Sequence, residues 1–347
     1  MMRTVESTTA SSAVDGVDGV EVIMRRGGAG LRERMIRTER HLERVTARAG
    51  APLAAFASAT IRAGGKRLRP LLVVLAAESA GGPPRTVAGE QRLVRAAAAV
   101  ELVHSATLVH DDLIDGAQLR RGRPTVAAVA GRGGAVATGD LLFSLAFAEL
   151  ARNDSPMQLR ALSDASSALA EGELLQREDA YASDVAVERY LRRCELKTAA
   201  LFEAACRLGA LGASRGSGRL ADALGAFARR IGLAFQMLDD VLDVSGPVER
   251  TGKARGTDLL DGTVTLPLIL AREREPELAG FDLASLGAPE HAEELCERIA
   301  ATGALDEACE RALGVVAEAK AALPGALPNG GSELLHLVAD AVVERYR

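Results

Sequence analysis

From Leu31 onward apolar residues recur three and four positions apart, as in Leu31, Met35 and Ile36 and then Leu42 and Val45, with charged residues between them. That spacing places the apolar side chains on one helical face, and it continues almost to Arg347. No stretch shows the period-two alternation of a half-buried strand. Glycine- or proline-bearing breaks punctuate the pattern: Gly50 to Pro52, Gly64 to Gly65, Gly81 to Pro84, Gly131 to Gly134, Gly212 to Gly218, Gly246 to Gly256 and Leu323 to Gly331. They are too short to be linkers. The pattern therefore predicts one all-α domain over residues 31–347. Residues 1–30, rich in Ser, Thr and Gly with only the short apolar patch Val20 to Met24, are expected to be a disordered leader.

Within the helical pattern one acidic signature occurs twice. Asp111, Asp112 and Asp115 stand in LVHDDLID, and Asp239, Asp240 and Asp243 stand in FQMLDDVLD. Residues four apart share a helix face, so Asp111 is paired with Asp115 and Asp239 with Asp243. Solvated acidic faces are the ordinary fate of such residues. Against that, Ile231 to Val244 is apolar apart from Gln236 and the three aspartates, and uncompensated carboxylates on a buried helix cost several kcal/mol each, a value on the order of the usual desolvation penalty. A cation is required between them. Carboxylates without a His or Cys cluster favour a hard ion, and Mg²⁺ typically combines one or two carboxylates with water and phosphate oxygens. The paired motif thus suggests a metal-bridged polyphosphate. Structural Ca²⁺ is the competing reading, although EF-hand spacing is missing.

Basic residues stand near these acids in the sequence. Lys66, Arg67 and Arg69 follow the Gly64-Gly65 turn, and Arg120, Arg121 and Arg123 lie at a Gly/Pro turn just after the first acidic motif. Lys197 and Thr198 fall inside the apolar stretch Leu191 to Leu208, where a buried lysine calls for an anion unless it snorkels to the surface. His104 and His110 are the histidines near the acidic motif. No P-loop and no Ser-His-Asp or Cys-His arrangement is present.

Composition narrows the classes. The formal net charge is -5 with signs interspersed, and aromatics are 3% with no Trp, so neither a broad basic field nor a stacking platform for nucleic acid is available. Cys194, Cys206, Cys296 and Cys309 show no metal-binding spacing and read as reduced packing residues. No run of about 18 apolar residues lacks charge, so no transmembrane segment is expected, and the chain reads as cytoplasmic.

Taken in order, GGKRLRP, HSATLVHDDLIDGAQLRRGRPT, GDLLF, LKTAALF, and FQMLDDVLD followed by GKARGTDL and TLP resemble the trans-polyprenyl diphosphate synthase family over Gly64 to Pro267. The resemblance implies an all-helical, single-domain bundle around a central cavity, the isoprenoid synthase fold, usually homodimeric, with the two aspartate-bearing helices facing across its mouth. It implies condensation of isopentenyl diphosphate with an allylic diphosphate, using Mg²⁺, three ions per site. Asp111, Asp115 and Asp239 match the principal metal ligands, and Asp112, Asp240 and Asp243 match supporting or water-mediated ones. Lys66, Arg69, His104 and Arg121 match the isopentenyl diphosphate cradle. Arg120, Lys197, Thr198 and Gln236 match the allylic side, the last two also near the developing cation, and Lys253 matches a further phosphate-binding lysine. The chain departs from the family where Thr263 follows Asp258-Leu259-Leu260-Asp261-Gly262 in place of a common lysine.

The family's short-chain members commonly place an aromatic ring upstream of the first aspartate. Here Thr107, Ala106, Val103 and Val100 occupy the positions four, five, eight and eleven before Asp111, which predicts an open tunnel and a medium- or long-chain product. The alternatives are a geranylgeranyl or farnesyl diphosphate synthase, a terpene cyclase, and a non-catalytic subunit of a heteromeric synthase.

Overall fold

The computed structural model describes residues 19–246, 255–325, 327 and 331–344. Its four longest helices start where a side chain caps them. α1 covers Gly19–Arg26, α2 Gly28–Thr46, α3 Leu53–Arg62 and α4 Leu68–Ser79. α5 covers Val87–Ile114, α6 Val126–Ala151, α7 Pro156–Glu178, α8 Val187–Cys194, α9 Ala200–Leu211 and α10 Gly218–Ser245. The hydroxyls of Thr86, Thr125 and Ser217 accept from the amides of Gly89, Ala128 and Leu220 at 3.0, 3.1 and 3.2 Å, satisfying donors that the first turn leaves open. Further helices at Leu266–Arg274, Pro289–Ala301, Ala304–Ala321 and Gly331–Glu344 complete the bundle.

The core follows from which helices are apolar all round. α4 is buried from Pro70 through Ala77 and packs against α9 and α5, while α5 buries Ala96 through Leu102 between α4, α6 and α9. α10 lies against α9 and Ala304–Ala321. Alanine and glycine at these contacts permit close approach: a Cβ on Gly232 of α10 would sit 2.8 Å from the Ala199 Cα. Cys194, Cys206 and Cys296 are buried and Cys309 half-buried, all four with free thiols.

Three details differ from the sequence pattern. The leader boundary moves: Gly19–Arg26 is a helix, and Ile23 is fully buried where α1 packs on Gly331–Glu344. Five residues of apolar patch suffice because the C-terminal helix supplies the other face. The break expected at Gly131 to Gly134 is a kink, with Gly131 at φ 67 inside α6. A two-residue antiparallel ladder, Leu119–Arg120 with Arg123–Pro124, forms a hairpin whose central Arg121 and Gly122 have φ 52 and 72, the positive values that the tight hairpin turn requires. Among the described residues, α6 alone is long and apolar enough to cross a membrane by length and composition, and it lies against α5.

Candidate functional site

Both acidic triplets stand at helix C-termini. Asp111 and Asp112 are in the last turn of α5 and Asp115 is its C-cap, while Asp239, Asp240 and Asp243 occupy the last two turns of α10. The negative end of the helix dipole disfavours carboxylates there, so each end calls for cations. Burial pushes the Asp111 carboxyl up to about 6; Lys197 opposes the rise, and Glu173 and Asp115 add to it.

The second aspartate of each triplet is held by protein. Asp112 is buried and its Oδ1 accepts from Arg120 Nε at 2.7 Å. Asp240 is also buried; its Oδ2 accepts from the Tyr190 hydroxyl and its Oδ1 from Gln236 Nε2, each at 2.7 Å. Burial pushes Asp240 up to about 8, reinforced by Asp258 and opposed by those two donors. The outer residues are tied as well. Asp115 forms an ion pair with Arg177 of α7, which also reaches Glu173 at 3.1 Å. Asp243 Oδ2 accepts from the Asp258 amide at 3.1 Å, fastening the turn that opens Thr257–Leu260.

A π-helical turn at Glu195–Ala199 joins α8 to α9, and it stands between the two acidic ends. The extra residue in such a turn re-aims its side chains. Lys197 Nζ lies 2.5 Å from Glu173 Oε2 and acts electrostatically on Asp111 of α5, while the neighbouring Thr198 hydroxyl donates to Gln236 Oε1 of α10 at 2.7 Å. Gly172 makes room for this turn: a Cβ there would sit 2.6 Å from the Lys197 amide nitrogen. Lys197 is neither a lone buried charge nor a fully solvated one.

The basic segments meet beside the first triplet. A Cβ on Gly65, at φ 151, would sit 2.8 Å from Arg121 Nη1, so the absence of a side chain lets the hairpin arginine close over the Gly64-Gly65 turn. Lys66 is exposed. Arg69 lies 4.9 Å over the Phe202 ring, burial lowers its pKa to about 10, and its Nε has no hydrogen-bond partner among the described residues. A desolvated, incompletely bonded guanidinium is suited to an anion. His104 is held well below the ordinary histidine range by burial and by Arg69, Arg121, Arg120 and Arg67, so its ring is neutral. Arg67, between Lys66 and Arg69 at the same turn, is engaged by the protein itself. At φ 49 it turns inward to Glu101 at 2.6 Å, Glu39 at 2.5 Å and the Ile61 carbonyl at 2.7 Å.

Glu101, Glu173, Arg177 and Tyr190 are parts of the site that sequence reasoning missed. The spacing of Glu173 and Arg177 on one face of α7 was a visible signal; Tyr190 and Glu101 reach their partners only through tertiary packing. His110 is turned toward α6, with its ring 6.0 Å from Phe143. Lys253 lies outside the described residues.

The donor set fits a divalent oxygen-seeking ion. Its atoms are carboxylate oxygens at dipole-negative helix ends, with Asp111 raised by burial and by its acidic neighbours. Among the described residues no group of three His, Cys, Asp or Glu side chains is placed to hold a metal ion, and Mg²⁺ in general takes one or two protein carboxylates and completes its shell with water and phosphate oxygens.

Residues 51–301 match the polyprenyl synthetase family. The chain is 40% identical over 240 residues to heptaprenyl diphosphate synthase component 2 of Geobacillus stearothermophilus, covering 68% of this chain and 72% of that one. It is 37% identical over 290 residues to the geranylgeranyl diphosphate synthase of Methanosarcina mazei, covering 82% and 87%. Its structure resembles the polyprenyl synthase of Caulobacter crescentus CB15 complexed with calcium and isoprenyl diphosphate, with a TM-score of 0.85, 36% identity, and coverage of 94% and 98%.

Proposed function

The chain belongs to the polyprenyl synthetase family, and on that premise we propose that its two aspartate-bearing helix ends condense isopentenyl diphosphate with an allylic diphosphate into a medium- or long-chain polyprenyl diphosphate. It is a trans-prenyltransferase of isoprenoid biosynthesis with an all-helical isoprenoid synthase fold. The observation that supports the reading is the π turn, whose Lys197 acts on Asp111 of α5 and whose Thr198 bonds to Gln236 of α10, the two helices that carry the acidic motifs.

In the proposed mechanism Asp111, Asp115 and Asp239 would be the principal residues holding Mg²⁺, with three ions expected per site. Bound Mg²⁺ supplies charge stabilisation for the leaving diphosphate. Asp112 and Asp240 act through the partners that already hold them, Arg120 on one side and Tyr190 with Gln236 on the other. Lys197 and Arg120 offset the charge that gathers on the allylic leaving group as its carbon–oxygen bond breaks. Lys66, Arg69, Arg121 and neutral His104 bind the isopentenyl diphosphate, His104 as an uncharged N–H donor. The isopentenyl double bond then forms the new carbon–carbon bond at the allylic carbon, and the departing diphosphate takes the proton that is lost. The Thr198 and Gln236 oxygens face the developing positive charge. Lys253 is proposed as a further phosphate-binding lysine on the family resemblance alone.

Small residues support the longer product: Ala106, Val103 and Val100 are fully buried on α5 upstream of Asp111, and no ring stands among them. Incubating the purified chain with farnesyl and isopentenyl diphosphates and measuring product mass tests this; twenty-carbon product alone would favour the geranylgeranyl reading. We further propose a cytoplasmic homodimer. Exposed positions on α6, among them Val129 and Val136, support a face for a second copy. The Geobacillus relative carries the name of one component, which favours a second reading in which this chain works with a different subunit. Both triplets are intact, so activity of the chain alone separates the two readings.

A further inference from the structure

A cavity of about 720 Å³ lies between α2, the start of α5 and the end of α6, and its walls are arginine-rich. Arg37, Arg44 and Arg48 approach from α2 and the residues just after it, Arg85 from the loop before α5, Arg95 from α5 and Arg152 from the end of α6. The carboxylate among its walls, Glu90, is already engaged by Arg34, which donates through Nε at 3.0 Å and Nη2 at 2.7 Å. Glu149, beside it, is likewise shared between His41 at 2.7 Å and Arg152 at 2.7 Å. Arg44 donates to the Arg40 carbonyl at 3.2 Å and approaches His41 Nδ1 at 3.3 Å, neither of which offsets its charge. Burial lowers the pKa of His41 despite its Glu149 partner, and Arg44 and Arg95 push in the same direction, a sign of local positive potential. The N-terminal end of α5, positive by its dipole, opens into the same space through Thr86 and Val87.

We propose that this cavity is a second anion site, built for a ligand carrying several phosphates and separate from the reacting centre. Val87 and Asp111 lie at opposite ends of α5, about 36 Å apart at 1.5 Å per residue. Arg37 pairs with Glu33 and Arg152 with Glu149, which leaves Arg44, Arg48, Arg85 and Arg95 as like charges around one concavity; they repel each other, and a multivalent anion relieves that repulsion where a single carboxylate cannot. The volume is that of a small-molecule pocket. A free polyphosphate and the phosphate headgroups of an acidic membrane share this chemistry. The inference does not depend on the proposed prenyl product.

Arg44 and Arg85 are exposed, so Arg44→Gln with Arg85→Gln leaves the packing untouched. Calorimetric titration of the full chain with inorganic triphosphate in chelator should show two binding equivalents, one at the Arg69 cradle and one in this cavity. The double variant should keep the first and lose the second, or weaken it at least tenfold, with prenyl transfer unchanged. Sedimentation with phosphatidylglycerol vesicles separates the two sources: capture of the wild type but not the variant, without a second triphosphate equivalent, assigns the site to lipid headgroups. Identical behaviour of wild type and variant in both arms would overturn the proposal. If prenyl transfer fails while the binding difference persists, the reading of the reacting centre falls and this one stands.

Discussion

The Tyr190 hydroxyl donates to Asp240 Oδ2 at 2.7 Å, joining α8 to the acidic end of α10 inside the core. Asp240 receives its other hydrogen bond from Gln236, one turn back, so Tyr190 is its link to another helix. Tyr190→Phe keeps the ring and removes that link. Leaving a buried acceptor half-satisfied costs about 1–3 kcal/mol, which urea unfolding should show as a lower midpoint with unchanged slope. Prenyl transfer should fall as well, because Gln236 and Thr198 are on the same chain of hydrogen bonds. A variant of full stability and full rate would remove Tyr190 from the site.

Arg67 predicts a different kind of loss. Its guanidinium compensates Glu101, which is 4% exposed. Removing one partner of a buried ion pair strands the other, at about 3–5 kcal/mol. Arg67→Met should therefore destabilise strongly, and adding Glu101→Leu should recover much of the loss. Arg69, which also acts on Glu101, limits the damage. Equal destabilisation by the single and double variants would contradict the pairing.

The same contrast shows what the linear sequence can carry. The acidic motifs, the helical class and the succession of basic turns are local patterns, and the structure places them as helix ends and a hairpin. Arg67 and Arg69 look alike in the chain, two residues apart, yet one braces Glu101 and the other carries an unmatched Nε over Phe202. The difference arises from the left-handed backbone at Arg67 and from residues far away in sequence, Glu39, Glu101 and Phe202. Likewise the helical period predicted a continuous stretch through Lys197, and the π turn that re-aims it adds a single residue that periodicity cannot resolve. The helix at Gly19–Arg26 was hidden because its partner face lies at the other end of the chain.

His104 gives a pH prediction. Its folded-state pKa is held well below 6.5 by burial and then by Arg69 and its neighbours, whereas the unfolded chain titrates near the ordinary value. Below pH 6.5 the unfolded state takes up a proton that the folded state refuses, so stability falls with pH, by at most about 1.4 kcal/mol per unit for one group. Above 6.5 the effect vanishes. His104→Gln should flatten that acid limb in urea midpoints measured from pH 7 to pH 5. A limb of unchanged slope would mean that His104 is not its source.

In the proposed mechanism Lys197 offsets the charge on the leaving group. Lys197→Gln should lower kcat by about 100-fold or more, the scale seen when one preorganised donor is removed, with a smaller change in KM. Its pairing with Glu173 is partly solvated, at 25% and 16% side-chain exposure, so unfolding free energy should barely move. A large stability loss with an unchanged rate per folded molecule would make Lys197 a structural residue.

Ala106 separates a tunnel wall from ordinary core. It is fully buried on α5, more than one turn before Asp111, in a helix packed against α4, α6 and α9. If the growing tail passes it, Ala106→Phe places a ring in the tail's path and product masses should shift to shorter chains while the rate of the first condensation is kept. If Ala106 only fills space between helices, the added ring overpacks the core and costs about 1–3 kcal/mol without touching product length. The two outcomes differ in kind, one read by mass analysis of the products and the other by unfolding. A shortened product is the expected result; an unchanged product with lowered stability would make Ala106 ordinary core.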